Sequence, residues 1–188
     1  SFAKPGGRLT GVHFLSRDLI AKRLEILKEI LPQLRRVVTF YDPNNSNAQG
    51  NAKLAREAAR QLGVELVERH VRSIKELQEG LKALRAGEAD AYFHVPDAMV
   101  ASQAQLIIDT ARVKRLPTMF QDTALVAKGA LVSYGASYYE AGRLSAKHVQ
   151  RVLAGTSPKD LPVESVDRLE LVLNLRTARE LGLTIPRE

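Results

Sequence analysis

Strand-like and helix-like segments alternate along most of this chain. Short runs rich in β-branched and aromatic residues stand between longer segments in which apolar residues recur every three or four positions. In the first helical segment, Ile20, Leu24, Leu27 and Leu31 follow this spacing, and Pro32 ends it. Because strands joined through helices run parallel, the alternation predicts an α/β fold: an open, mostly parallel, Rossmann-like sheet flanked by helices on both faces. The predicted strands are 37–41, 64–67, 91–95, 117–120, 131–134 and 169–173, and the predicted helices are 20–31, 48–62, 74–84, 101–111 and 141–152.

Three of the predicted helices begin with a capping box. In this motif a serine side chain accepts a hydrogen bond from a backbone N–H, and a Glu or Gln three residues later reaches back. The pairs are Ser46 with Gln49, Ser73 with Glu76 and Ser137 with Glu140.

Charge and cysteine content exclude several function classes. The chain has 28 Lys and Arg against 21 Asp and Glu, and no cysteine, which excludes a disulfide scaffold, a zinc–thiolate site and a cysteine nucleophile. Basic residues alternate with acidic ones, as Lys22, Arg23 and Glu25 do, a pattern typical of a solvated helix face. We therefore predict no nucleic-acid partner. No segment approaches the roughly 20 apolar residues of a membrane span.

Short polar residues follow the predicted strands. In an open α/β sheet, ligands bind beside the carboxyl ends of the strands, so these residues form a candidate rim for a small polar ligand. A ligand carboxylate would favour the helix N-termini that begin there. The same residue types also serve as turns and N-caps, and for any single loop that interpretation stays open. The loops are 42–47, 70–73, 94–97, 121–123 and 134–137.

Catalytic motifs are missing from the sequence. It has no glycine-rich phosphate loop, no G-x-S-x-G and no H-E-x-x-H, so we expect no catalytic residue, no metal and no cofactor. An α/β enzyme stays an alternative, with His94 as a general base and with Asp97 or Asp122 as a carboxylate partner or Mg²⁺ ligand. The competing interpretation of these three residues is local hydrogen bonding and N-capping.

An ordered set of segments resembles the substrate-binding proteins of ABC transporters, specifically the tryptophan/tyrosine-type solute receptors, over essentially the whole chain. The segments are KPGG (4–7), TGV (10–12), KRLEILKE (22–29), PNN (43–45), KRLP (114–117), KGALVSYG (128–135), DLPVE (160–164), LVLNL (171–175) and LGLTIP (181–186). The resemblance implies a type I periplasmic-binding fold, in which two α/β lobes close on a solute. Residues 1–13 would cross over from a first lobe, 14–134 would form the second lobe, and 135–188 would form the return crossing helix, a connection and a C-terminal strand and helix.

The resemblance also implies a function. The chain would be part of the solute-binding component of an ABC importer, binding a small polar solute, possibly an amino acid, and presenting it to a membrane permease. It would lie in the periplasm or be membrane-anchored outside the cytoplasm, with its export signal upstream of Ser1. The ligand-binding residues carried over are Asn44, Asn45, Ser46, Asn47, Asp97, Gln121, Asp122, Tyr134 and Gly135.

Two further expectations follow from a missing first lobe. The 188-residue chain by itself would bind solute weakly or not at all. Apolar surface around 137–155 would be exposed and would favour a homo-oligomer. The effector-sensing domain of a transcription regulator, which has a similar fold, stays an alternative function.

Overall fold

The computed structural model describes residue 3, residues 5–14 and residues 16–185. Lys4 and Pro186 of the resembling segments, and Ser1 and Phe2 of the predicted crossover, lie outside the described residues. The elements in chain order are β1 (Val12–His13), α1 (Ile20–Ile30), β2 (Arg36–Tyr41), α2 (Ser46–Gln61), β3 (Glu65–His70), α3 (Ile74–Ala83), β4 (Ala91–Phe93), α4 (Ala98–Ser102), α5 (Ala104–Val113), β5 (Thr118–Phe120), α6 (Ala124–Ala127), β6 (Val132–Ala136), α7 (Tyr138–Leu153), β7 (Glu164–Ser165), β8 (Leu169–Leu173) and α8 (Leu175–Leu181), with a 3-10 helix at Pro158–Asp160 before β7.

The main sheet has six strands in the order β3-β2-β4-β5-β6-β8. The first five are parallel to their neighbours, and β8 pairs antiparallel with β6. The short strands β1 and β7 form a separate parallel pair. The predicted α/β fold with a mostly parallel sheet is therefore confirmed.

Helices cover both faces of this sheet. Along β2, Val37 and Tyr41 pack on one face against α1 and α2, while Val38 and Phe40 pack on the other face against α3 and α5. This alternation follows from the two-residue period of a strand. Small residues let α2 lie close to the core, since its alanines at positions 48, 52, 55 and 59 are all buried.

Three of the differences between the structure and the sequence prediction concern α2, α4 and β6. Asn45, and not Ser46, is the N-cap of α2, because the Asn45 side chain accepts from the backbone N–H groups of Asn47 and Ala48. The predicted helix 101–111 is divided at Gln103, whose N–H bonds back three residues to Val100 and closes α4. Strand β6 runs on to Ala136, because pairing with β8 continues to that residue.

The division into lobes stays a prediction. The predicted limit between residues 134 and 135 lies inside β6. Strand β8 and helix α8, from the predicted return segment, pack on the main sheet and its core. Within the part of the chain that the structure describes, no helix combines the length and hydropathy needed to cross a bilayer.

Candidate functional site

The carboxyl ends of β2, β4, β5 and β6 lie side by side along one edge of the sheet, because these strands are parallel neighbours. Helices α2, α4, α6 and α7 begin shortly after these strand ends. The nine residues that the sequence analysis selects lie in the loops of this edge, in the first turn of α2 or near the end of β6. They fall into two groups, one around Asp97 and one at the ends of β5 and β6.

The first group is centred on Asp97, between β4 and α4. Its carboxylate is buried and accepts a hydrogen bond from the backbone N–H of Val100 through Oδ1, at 3.0 Å. Oδ2 accepts from the N–H of Asp42 at 3.2 Å and from Nδ2 of Asn45 at 3.3 Å. One side chain therefore caps α4 and ties the β4 loop to the β2 loop.

The turn from β2 into α2 supplies the other residues of this group. The backbone N–H of Asn44 donates to Oδ1 of Asp42 at 2.8 Å, which fixes the turn. Asn45 caps α2 with its oxygen and reaches Asp97 with its nitrogen. Ser46 and Asn47 are the first two residues of α2 and are exposed at this edge.

The second group lies at the ends of β5 and β6. The Ser16 hydroxyl donates to Oε1 of Gln121 at 2.6 Å, which joins the segment before α1 to the β5 end. Asp122 accepts from the N–H of Ala124 at 2.9 Å and so forms the turn into α6. Tyr134 and Gly135 lie inside β6, and an ideal Cβ on Gly135 would sit 2.2 Å from the backbone oxygen of Gln121. Only glycine lets the two strand ends approach this closely.

Arg23 belongs to the second group, although its sequence context indicates a solvated helix face. The structure contradicts that interpretation, since Arg23 is fully buried. Its Nε donates to the Tyr134 carbonyl at 2.9 Å, and its Nη2 donates to the Ser16 carbonyl at 2.7 Å and the Ser16 hydroxyl at 3.3 Å. Arg23 lies three residues after Ile20 and four before Leu27, on the apolar stripe of α1, and that spacing is the signal by which the sequence could have revealed it.

A small cleft of about 100 Å³ opens at this second group. Its lining residues are Phe14, Ser16, Arg23, Gln121, Gly135, Ala136 and Tyr138. A larger groove, about 660 Å³, lies instead beside the end of α3 and the loop into β4, and none of the predicted site residues lines it. The residues around that groove include the Arg69–Glu88 ion pair, which already satisfies both charges.

The structure places His94 where a catalytic base would be ineffective. The ring is buried, and its Nδ1 lies 3.1 Å from the Tyr92 hydroxyl. Burial, and secondly the positive charge of Arg23, lower the pKa of His94 to about 3. A general base works best with a pKa near the working pH, so this imidazole stays neutral and weakly basic.

This environment predicts a pH-dependent stability. Unfolded His94 titrates near its usual pKa of 6.5, so below that pH the unfolded chain binds a proton that the native chain does not. The stability is fully present above pH 6.5 and decreases as the pH falls toward 3; from pH 7 to pH 5 the loss is about 2 kcal/mol. Urea unfolding at both pH values checks this. A His94→Gln variant has no proton to take up, so its free energy of unfolding should fall less than that of wild type, and parallel losses in both proteins would contradict the assignment.

No group of three or more His, Asp or Glu side chains is placed to hold a metal within residue 3, residues 5–14 and residues 16–185. Asp97 and Asp122, the two aspartates considered as Mg²⁺ ligands, instead accept backbone N–H groups at helix starts. The N-capping interpretation holds for Asp97, which caps α4, whereas Asp122 lies one residue before Thr123, the N-cap of α6, and forms an Asx turn instead.

Comparison with known proteins gives a match over the whole chain. The model of the family described as ABC transporter substrate binding protein matches residues 1–188. The Tyrosine-binding protein of Clostridioides difficile is 26% identical over 184 residues, which are 97% of this chain and 52% of that protein. The chain thus spans about half the length of that curated relative.

Two solved structures are similar in fold and sequence. A conserved domain protein from Vibrio cholerae has a TM-score of 0.87 and 31% identity, over 100% of this chain and 62% of that one. The ABC domain of a Streptococcus pneumoniae protein in complex with L-Trp has a TM-score of 0.83 and 25% identity, over 99% of this chain and 64% of that one.

Proposed function

Since the chain belongs to the family of ABC transporter substrate binding proteins, we propose that it forms one lobe of a receptor for a small polar solute, most simply an amino acid. The observation that carries this proposal is the convergence of polar groups at the carboxyl ends of four neighbouring parallel strands. Two related proteins agree with this proposal: one is named a tyrosine-binding protein, and the structure of the other is a complex with L-Trp.

The fixed hydrogen bonds of the site suit binding better than turnover. Asp97, Asn45 and Gln121 are each held by other side chains or backbone groups, so their geometry exists before a solute arrives. A preorganised rim loses little conformational freedom on binding. Nine rim residues act as solute contacts in this proposal: Asn44, Asn45, Ser46, Asn47, Asp97, Gln121, Asp122, Tyr134 and Gly135.

The chain would work together with a first lobe. In this proposal residues 14–134 form the second lobe, 1–13 enter it and 135–188 return from it. A solute that touches both lobes stabilises the closed state, and the closed protein delivers it to a membrane permease on the outer side of the membrane.

Helix α7 exposes large apolar side chains, which supports a proposal about assembly. Tyr139 and Leu153 on this helix are 78% and 82% exposed. Without a first lobe to cover this surface, the chain would self-associate. Sedimentation at rising protein concentration tests this, and a monomer at every concentration would contradict it.

Calorimetric titration with the common L-amino acids tests the proposed function, with ribose as a control solute. We expect an amino acid to bind a form of the protein that also carries a first lobe, and to bind the 188-residue chain much more weakly. No heat with any amino acid, in either form, would contradict the proposal. Turnover of a solute that is lost in a His94→Ala variant would favour the enzyme alternative instead.

A further inference from the structure

One hydrogen-bond donor of Arg23 is left without an acceptor. Its Nε and Nη2 make three hydrogen bonds, whereas its Nη1 is buried and has no hydrogen-bond partner among the residues that the structure describes. Burying an unpaired donor on a charged group is costly, and in native proteins such a group generally has a partner. The arrangement therefore points to an acceptor that binds there.

The positive charge of Arg23 is also unbalanced. All three of its partners are neutral oxygens, those of Ser16 and Tyr134, and in the part of the chain that the structure describes Arg23 forms no ion pair. Burial lowers its pKa to about 10, so the guanidinium stays charged at neutral pH. The nearby Tyr138 phenol does not neutralise it, because burial raises the pKa of that phenol above its usual value.

The position of Arg23 connects this charge to the solute site. Arg23 lines the same cleft as Gln121 and Gly135, two of the proposed solute contacts. Helix α7, which is 16 residues long, begins at Tyr138 on the cleft wall, so the positive end of its dipole lies there as well. Both features favour a negative group in the cleft.

We propose that Arg23 is the receptor for the carboxylate of the solute, with its Nη1 donating to a carboxylate oxygen. The inference rests on the proposed function and adds to it the residue that binds the carboxylate of the solute. Nη1 is closed off from solvent in this conformation, so binding requires a movement at the cleft. The inference assigns that movement to the aromatic rings of Phe14 and Tyr138, which line the cleft and are 38% and 51% exposed.

The first test compares each acid with its amide on the wild-type protein that also carries a first lobe, the form expected to bind solute. L-Tryptophan and L-tyrosine are titrated beside tryptophanamide and tyrosinamide, which keep the shape and the amino group but lack the negative charge. Because a hydrogen bond to a charged group is the stronger kind, we expect the amides to bind about 10- to 100-fold more weakly. Equal affinities for acid and amide would overturn the inference while the proposed function stands.

The second test removes the charge from the protein. Arg23→Met keeps an apolar stem in the core, and Lys22→Met removes the same charge from the exposed neighbouring residue. Lys22→Met should keep the preference for the acid, whereas Arg23→Met should bind acid and amide alike. A preference that survives in a folded Arg23→Met protein would overturn the inference; if this variant does not fold, the wild-type comparison decides.

A third measurement separates this inference from the proposed function. If no amino acid binds, the proposed function fails. In that case the Nε–Hε NMR signal of Arg23 is followed during a titration with sodium propionate, which carries a carboxylate. A saturable shift of this signal, absent with propionamide, would support a carboxylate receptor for another kind of acid. No shift would overturn the inference as well.

Discussion

Gly135→Ala lowers the free energy of unfolding by about 3 kcal/mol, the upper part of the range for overpacked sites. The added Cβ would lie 2.2 Å from the backbone oxygen of Gln121, far inside van der Waals contact. The obstacle is backbone, so β6 or the end of β5 must move. Because Tyr134 and Gln121 are fixed through this approach, solute binding should be lost with the stability. Urea unfolding and calorimetry measure the two effects.

Gly142→Ala is the matched control for this substitution. Gly142 lies in the interior of α7, and apart from its chain neighbours and the backbone of its own helix no atom of the described residues is within 4 Å of its ideal Cβ. Alanine is a better helix former than glycine, so this variant should be more stable by about 0.5–1 kcal/mol. Wild-type stability in the Gly135→Ala protein would show that the two strand ends are not in close contact.

Asp97→Ala has the second large effect, a loss of about 3 kcal/mol, since it removes a helix cap and leaves buried donors unpaired. The N–H groups of Val100 and Asp42 and the amide of Asn45 all lose their acceptor. The β2 and β4 loops would then separate, so solute binding should weaken as well. Chemical unfolding and calorimetry report the two changes.

Asp122→Ala is the corresponding control. Asp122 accepts a hydrogen bond from the N–H of Ala124 at the start of α6, and Asp122 is only partly buried. Its removal should cost about 1 kcal/mol, as loss of one ordinary hydrogen bond does. Equal losses in the two aspartate variants would mean that the links from Asp97 to the β2 loop contribute nothing.

The fold could be predicted because its signal is local. The apolar spacing of α1 and the strand-like run of β2 are readable from neighbouring residues, and parallel connections then bring the strand ends to one edge. The end of β6 is different: pairing with β8, more than 30 residues later in the chain, decides that Gly135 and Ala136 belong to a strand. Such long-range pairing leaves no mark in the local sequence.

The site was only partly predictable, for a chemical reason. Short polar residues after strands, such as Asn45 and Asp97, are visible in the sequence, but their partners are not. Arg23 alternates with acidic residues, a pattern that indicates a solvated helix face, whereas its place on the apolar stripe of α1 indicates burial. A charged residue inside an apolar stripe is a signal worth following, because burying it is costly without a function or a partner.

Amide NMR of the 188-residue chain during an amino-acid titration tests most directly whether solute binds at the strand ends. The account predicts that the shifted signals belong to residues 44–47, 97, 121–122 and 134–135, together with Ser16 and Arg23 around the small cleft. Shifts confined to the larger groove beside α3, at Arg69 and the residues from Leu84 to Glu88, would contradict it.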